Sequence, residues 1–160
     1  MTDPSSKLDI IKFSTDLIEK LKDIEKDEEG LGIGHPTPYS NQIEIVRELL
    51  SNPAGTPDEE VVEQLGHSQM AMYSIPTAIY CFLRAQSEIE NVETSNPFRR
   101  TLQYAISLGG DTATIAGMAG SIAGAFYGEE LIGKTIAQHC EDNELFLQLA
   151  DKLYNLKFVQ

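Results

Sequence analysis

The sequence predicts an all-α fold, a compact globular helical bundle, and three observations support that prediction. Apolar residues recur at helical spacing in the periodic segments, and no segment alternates apolar and polar residues as a half-buried strand would. Signals that start or stop helices, such as Asn96-Pro97 and Gly109-Gly110, bound several of these segments. The chain has 160 residues, of which 41% are hydrophobic, and this is enough for one domain with its own core.

The first predicted helix is the most highly charged part of the chain. Its apolar stripe consists of Phe13, Leu17, Leu21 and Ile24, and Glu25 is assigned to the polar face. The helix ends at a loop rich in glycine and proline. We therefore divide the chain into a charged N-terminal helix and loop at residues 1–38 and a main domain at residues 39–160.

The second predicted helix begins at Ser40, and its inward residues are Ile43, Val46 and Leu50. The third begins at Thr56-Pro57, where the threonine is expected to cap the helix and Glu59 to complete a capping box. This third helix is expected to end at Gly66.

Three further helices are predicted from the same apolar spacing and the same start and stop signals. The segment at residues 74–86 has Ile79, Phe82 and Leu83 on its inward side. The next helix runs from Asn96-Pro97 to the glycine pair. An amphipathic helix over residues 143–156 is expected to close the fold.

The most informative segment is residues 107–128, SLGGDTATIAGMAGSIAGAFYG. A glycine pair leads into a helix of small apolar residues, and Asp111, Thr112 and Thr114 are the first oxygen-bearing side chains at its start. Rigidly held oxygen atoms are the ligands that Mg²⁺ requires, whereas Ala113 offers none. Asp111 is also a good helix N-cap, and the two roles can coexist.

The same segment could be mistaken for a membrane span, because Gly120, Gly124 and Gly128 are four residues apart and no charge lies between Asp111 and Glu129. It is short for a span and is made mostly of Gly, Ala, Ser and Thr. We therefore expect a soluble helix that is buried on all sides.

The charge of the chain argues against two classes of partner. Twenty-five acidic residues against 12 basic ones give a net charge of −13, which disfavours nucleic acid and anionic membranes as partners. Cys81 and Cys140 are expected to be buried free thiols in a reducing compartment. The N-terminus lacks the pattern of a signal peptide, so we expect a cytoplasmic and nuclear location, with the mitochondrial matrix left open.

From about residue 39 onward the chain resembles the ADP-ribosylglycohydrolase family. The residues that carry the resemblance are SIPTAIYCFLR at 74–84 and SLGGDTATIAGMAGSIAGAFYG at 107–128, with FRRTLQYAISLGGD leading into the second motif. The combination is most similar to the type-3 ADP-ribosylhydrolases, which cleave serine-linked ADP-ribose, poly(ADP-ribose) and O-acetyl-ADP-ribose.

The resemblance implies an all-α domain with two Mg²⁺ ions in a cleft that binds ADP-ribose. Carried over by position, Asp111 and Thr114 match metal ligands, and Gln69 matches a segment on the adenine side of the pocket. A simple connector between helices is an alternative interpretation of residues 66–70. Ala113 stands where the family motif has an aspartate that bridges both ions, so we predict that at least one metal is lost or weakened.

The resemblance covers only the C-terminal part of such an enzyme. The family's N-terminal part supplies a catalytic glutamate and a Thr-Asp-Asp metal cluster, and this sequence contains no Thr-Asp-Asp triplet. We therefore assign no catalytic residue and expect a family member that is impaired or inactive as this chain. The implied partner is ADP-ribose or an ADP-ribosylated protein. The alternative is a non-catalytic module for ADP-ribose binding or for protein interaction.

Overall fold

The computed structural model describes residues 7–27, 38–52 and 55–158. These ranges contain helices and connecting turns, without strands, so the predicted all-α fold is confirmed. The helices are α1 Ile10–Asp27, α2 Pro38–Leu50, α3 Asp58–Leu65, α4 Ala71–Arg84, α5 Pro97–Ser107, α6 Thr112–Tyr127, α7 Glu129–Ile132, α8 Lys134–His139 and α9 Asn143–Phe158. Within the described ranges, no helix is long and apolar enough to cross a membrane.

The core is built around α4, which packs against α2, α5 and α6. The side chains of Tyr80, Phe82 and Leu83 on α4 are almost completely buried. Phe82 also packs edge-to-face against Phe126 and Tyr127, with ring centroids 5.5 and 6.1 Å away. These contacts fix α6, the helix that directly follows Asp111, against the centre of the bundle.

The small residues of α6 allow α5 to approach closely. A Cβ atom added to Gly120 would lie 2.8 Å from Leu102 Cδ2, so the Leu102 side chain would have to move if a larger residue stood there. α5 is also tied to α3, because Tyr104 Oη donates a hydrogen bond of 2.9 Å to Asp58 Oδ1. Burial raises the pKa of the Tyr104 hydroxyl above its usual range.

The first helix differs from its predicted pattern. Ile24 is 61% exposed, whereas Glu25 is buried, so the assignment of these two residues was wrong. Glu25 Oε1 accepts hydrogen bonds from the backbone N–H groups of Tyr39 (2.9 Å) and Ser40 (3.2 Å). Glu25 therefore caps the start of α2, which begins two residues earlier than predicted, and the polar side chain is buried because it satisfies these donors.

The predicted capping box at Thr56 was also wrong. The N-cap of α3 is Pro57, without a side-chain cap hydrogen bond. Thr56 Oγ1 instead donates to the carbonyl oxygen of Leu49 at 2.8 Å, which joins the start of α3 to the end of α2. The expectation for the cysteines holds for Cys81, which is buried, and fails for Cys140, which is exposed.

The division at residue 38 stays a prediction, and most of the loop that it was based on lies outside the described residues. α1 itself packs against α2. Leu8 N–H also donates to Gln86 Oε1 at 2.7 Å, next to the end of α4. The described part of this N-terminal segment thus contacts the main domain.

Candidate functional site

The site begins at the turn between α5 and α6, where two glycines adopt left-handed backbone conformations. Gly109 has φ +74° and Gly110 has φ +66°. A Cβ atom on Gly110 would lie 2.2 Å from the carbonyl oxygen of His67, whereas one on Gly109 would meet no atom within 4 Å. Glycine at 110 is therefore required both by its φ angle and by a close backbone approach.

His67 holds this turn in place from the loop between α3 and α4. Its carbonyl oxygen accepts a hydrogen bond of 2.8 Å from Asp111 N–H. Its ring atom Nδ1 lies 3.0 Å from the carbonyl oxygen of Leu108, and because a carbonyl oxygen only accepts, Nδ1 carries the proton in this contact. Sequence reasoning missed this role, since no spacing rule connects residue 67 to residue 111.

Asp111 is the N-cap of α6, as one of the two sequence interpretations predicted. Its Oδ1 accepts a hydrogen bond of 3.2 Å from Thr114 N–H, and its Oδ2 accepts one of 2.7 Å from Thr114 Oγ1. A carboxylate at this position also interacts favourably with the positive end of the helix dipole. The two predicted metal ligands thus lie side by side at an exposed helix start.

A magnesium ion needs more ligands than these two residues offer. Ala113 is exposed and contributes only a methyl group. Among the described residues, no group of three or more His, Cys, Asp or Glu side chains could hold a metal ion. One carboxylate and one hydroxyl, already bonded to each other, do not meet the near-octahedral demand of Mg²⁺, so the described residues do not form a magnesium site by themselves.

The loop that carries Gln69 lies next to the same turn. Thr77 Oγ1 of α4 donates a hydrogen bond of 2.7 Å to the carbonyl oxygen of Gly66, and the contacts of His67 join the loop to Asp111 and Leu108. Gln69 itself is exposed. The structure therefore brings the loop of Gln69 beside Asp111 and Thr114, although the binding role of Gln69 stays a prediction.

An apolar groove extends from this site between α4 and α6, and we call it the α4–α6 groove. It has a volume of about 500 Å³, and its lining residues include Ile75, Ile79, Ala113, Gly117, Met118 and Ile122. Ala113, Gly117 and Ser121 are exposed. The prediction that this helix is buried on all sides was therefore wrong, because the described part of the chain covers only the opposite face of α6.

Comparison with known proteins places this fold and turn in a family. The family model described as ADP-ribosylglycohydrolase matches residues 8–160, which include every helix from α1 to α9. This chain belongs to the ADP-ribosylglycohydrolase family. The match begins at residue 8 and therefore includes α1.

The relatives within this family are ADP-ribosylhydrolases. The chain is 42% identical to ADP-ribosylhydrolase ARH3 of Bos taurus over 151 residues, which are 90% of this chain and 41% of the relative. It is 41% identical to the Homo sapiens protein of the same name, with the same coverage of both chains. The Mus musculus protein is 48% identical over 120 residues, which are 74% of this chain and 32% of the relative. The chain thus spans about two fifths of the length of the bovine and human relatives.

Proposed function

We propose that this chain is the C-terminal part of a magnesium-dependent ADP-ribosylhydrolase. The proposed substrates are O-glycosidic linkages of ADP-ribose on serine, in poly(ADP-ribose) or in O-acetyl-ADP-ribose, and the proposed partner is ADP-ribose or an ADP-ribosylated protein. The observation that carries the proposal is the Gly109-Gly110-Asp111 turn, which lies inside the family match and sets Asp111 and Thr114 side by side. A cytoplasmic and nuclear location, with the mitochondrial matrix left open, belongs to the same proposal.

We further propose that the chain alone does not turn over substrate. Hydrolysis at a glycosidic carbon needs an acid or base beside the reacting bond. The carboxylate of Asp111 is engaged in capping α6, and Ala113 supplies no second carboxylate. Among the described residues, no group of three or more His, Cys, Asp or Glu side chains could hold a metal ion, which also supports this proposal.

Release of ADP-ribose from a serine-modified peptide tests this proposal. The purified chain is expected to release none with or without Mg²⁺, and Mg²⁺-dependent release would contradict it.

Ala113→Asp is expected to strengthen Mg²⁺ binding in a calorimetric titration, because it adds a carboxylate one helical turn from Gly117 and beside Thr114. Unchanged metal affinity would argue against a metal role for this turn, and Ala125→Asp, at another exposed position of α6, controls for added charge alone.

A second function, a non-catalytic module that binds ADP-ribose or another partner, is favoured by one observation. The methyl group of Ala113 faces solvent at the position where the family resemblance implies a bridging aspartate. Calorimetric titration with ADP-ribose separates the two functions in part. Binding that does not depend on Mg²⁺ would support the module, whereas Mg²⁺-dependent binding would support the hydrolase.

A further inference from the structure

Ser87 is an exposed serine in the turn that follows α4. Its backbone N–H donates a hydrogen bond of 3.3 Å to the carbonyl oxygen of Arg84, whereas its Oγ has no hydrogen-bond partner among the described residues. Exposed glutamates follow it at positions 88, 90 and 93. A free serine hydroxyl with carboxylates after it has the charge pattern that suits a protein kinase with a basic substrate groove. We call such an enzyme an acid-directed kinase.

Thr56 has a similar sequence pattern, and the structure distinguishes it from Ser87. Asp58 and Glu59 follow Thr56 at the second and third positions. However, the Oγ1 atom of Thr56 donates a hydrogen bond of 2.8 Å to a backbone carbonyl oxygen of α2, and the acidic residues after it belong to α3. Residues 88–96, which follow Ser87, contain no helix. A kinase groove that receives an extended segment can therefore reach Ser87 without unwinding a helix.

An arginine three residues before a serine is a second charge pattern that kinases recognise, and the structure disfavours it here. Arg84 is the last residue of α4, and its Nη1 donates a hydrogen bond of 3.0 Å to the carbonyl oxygen of Glu88. Recognition of Arg84 in an extended segment would unwind the end of α4. Recognition of the glutamate side chains leaves α4 intact, and these side chains form no ion pair among the described residues.

We propose that Ser87 is a phosphorylation site for an acid-directed kinase and that Arg84 binds the resulting phosphate. In the transfer, the bond from the γ-phosphorus of a nucleoside triphosphate to its bridging oxygen breaks, and a bond from that phosphorus to Ser87 Oγ forms. The hydroxyl proton passes to a carboxylate of the kinase, and the nucleoside diphosphate leaves. Neither part of the proposal depends on the proposed hydrolysis.

Arg84 is suited to bind this phosphate because it has no carboxylate partner. Among the described residues it forms no ion pair, and its side chain donates to one backbone carbonyl group. Together with Ser87 it lines a cavity of about 460 Å³. A phosphate carries a charge of about −1.5 to −2 and would by itself be unfavourable at the C-terminal end of α4. The guanidinium offsets this charge and that of Glu88 and Glu90, which line the same cavity.

This surface is separate from the turn at Asp111. Ser87 lies beyond the C-terminal end of α4, whereas the loop that carries Gln69 precedes its N-terminal end. The 14 residues of α4 separate these two ends by about 20 Å. Phosphorylation would therefore add charge away from Asp111 and Thr114, and it can be tested without measuring hydrolysis.

Incubation of the purified chain with magnesium ATP and an acid-directed kinase, followed by mass spectrometry of its peptides, tests the first part of the proposal. One phosphate is expected at Ser87 and none at Thr56. The double variant Glu88→Gln with Glu90→Gln should be modified about tenfold more slowly, because two charges that attract the basic groove are lost.

The matched control is Glu59→Gln with Glu60→Gln, which removes the same charge from exposed positions of α3 and should leave the rate unchanged. A kinase that instead selects an arginine before the serine should modify Ser87 more slowly. Faster modification by that kinase, or an unchanged rate when the glutamates after Ser87 are replaced, would overturn the first part. Absence of phosphate from Ser87, with or without phosphate at Thr56 or Ser6, would overturn it as well.

Hydrogen exchange followed by mass spectrometry tests the second part. Phosphorylation should slow amide exchange at residues 85–90 about threefold, because an ion pair between the phosphate and Arg84 stabilises the turn. In Arg84→Gln the phosphorylated and unphosphorylated forms should exchange at equal rates. Arg84→Lys keeps the charge and should retain part of the difference. No slowing, or equal slowing in Arg84→Gln, would overturn the role of Arg84.

Discussion

Substitution of Gly110 by alanine should destabilise the chain far more than the same substitution of its neighbour Gly109. Both glycines have a positive φ, and a side chain in that conformation costs about 1 kcal/mol at each position. At Gly110 the new Cβ would also lie 2.2 Å from the carbonyl oxygen of His67. The backbone must move to relieve this contact, and the hydrogen bond from Asp111 N–H to the same oxygen breaks, which adds about 1–3 kcal/mol.

We therefore expect a loss of about 3 kcal/mol in the free energy of unfolding for Gly110→Ala and about 1 kcal/mol for Gly109→Ala. Urea unfolding followed by the near-ultraviolet signal of the buried tyrosines measures both values. Gly109→Ala is the matched control, because its Cβ meets no atom within 4 Å. Equal losses for the two variants would refute the reasoning that His67 clamps this turn.

Three further predictions follow from buried groups. Glu25→Ala should cost about 2 kcal/mol in urea unfolding, because the N–H groups at the start of α2 lose a charged acceptor; Glu25→Gln, which keeps an acceptor oxygen, should cost less than half as much. Iodoacetamide should modify the exposed Cys140 rapidly and the buried Cys81 only on unfolding, as mass spectrometry can show, and equal rates would contradict this burial. Burial raises the pKa of the Cys81 thiol and of the Tyr104 hydroxyl above their ordinary values of 9.0 and 10.0. Because the folded chain holds both protons more tightly than the unfolded chain, the contribution of these groups to the free energy of unfolding is present below about pH 9 and is lost as the pH rises. A free energy of unfolding that stays constant in urea titrations above that pH would contradict the last prediction.

The sequence predicted the fold class because helical periodicity is a local property of the chain. The stop signal at Gly109-Gly110 is local as well and was predicted correctly. The cap at Asp111, one of the two interpretations of that residue, is also local and is observed, whereas its metal role stays a prediction. Glu25 was misplaced because its hydrogen-bond partners lie 14 and 15 residues away. Likewise, Thr56 has the right spacing for a cap, but the carbonyl oxygen of Leu49 competes for its hydroxyl.

The candidate site was predicted in part for the same reason. Asp111 and Thr114 are three residues apart on one helix, so their contact follows from the geometry of a helix start. The role of His67 depends on how α4 packs against α5 and α6, and no local pattern contains that information. The exposed face of α6 could not be predicted from its composition. Small apolar residues are equally suited to a helix that is buried and to a helix surface that another helix covers.

The exposed helix α9 has a consequence for how the chain unfolds. Leu153 and Leu156 are 70% and 69% exposed. The apolar core of the described residues, and the partly buried apolar residues packed against it, come from other parts of the chain. Local opening of α9 therefore breaks few tertiary contacts and does not have to coincide with opening of the helices around α4. Cooperative unfolding should therefore involve only the helices around α4. The circular dichroism signal and the near-ultraviolet signal of the buried tyrosines should then have different transition midpoints. A single free energy of unfolding should describe only the helices around α4.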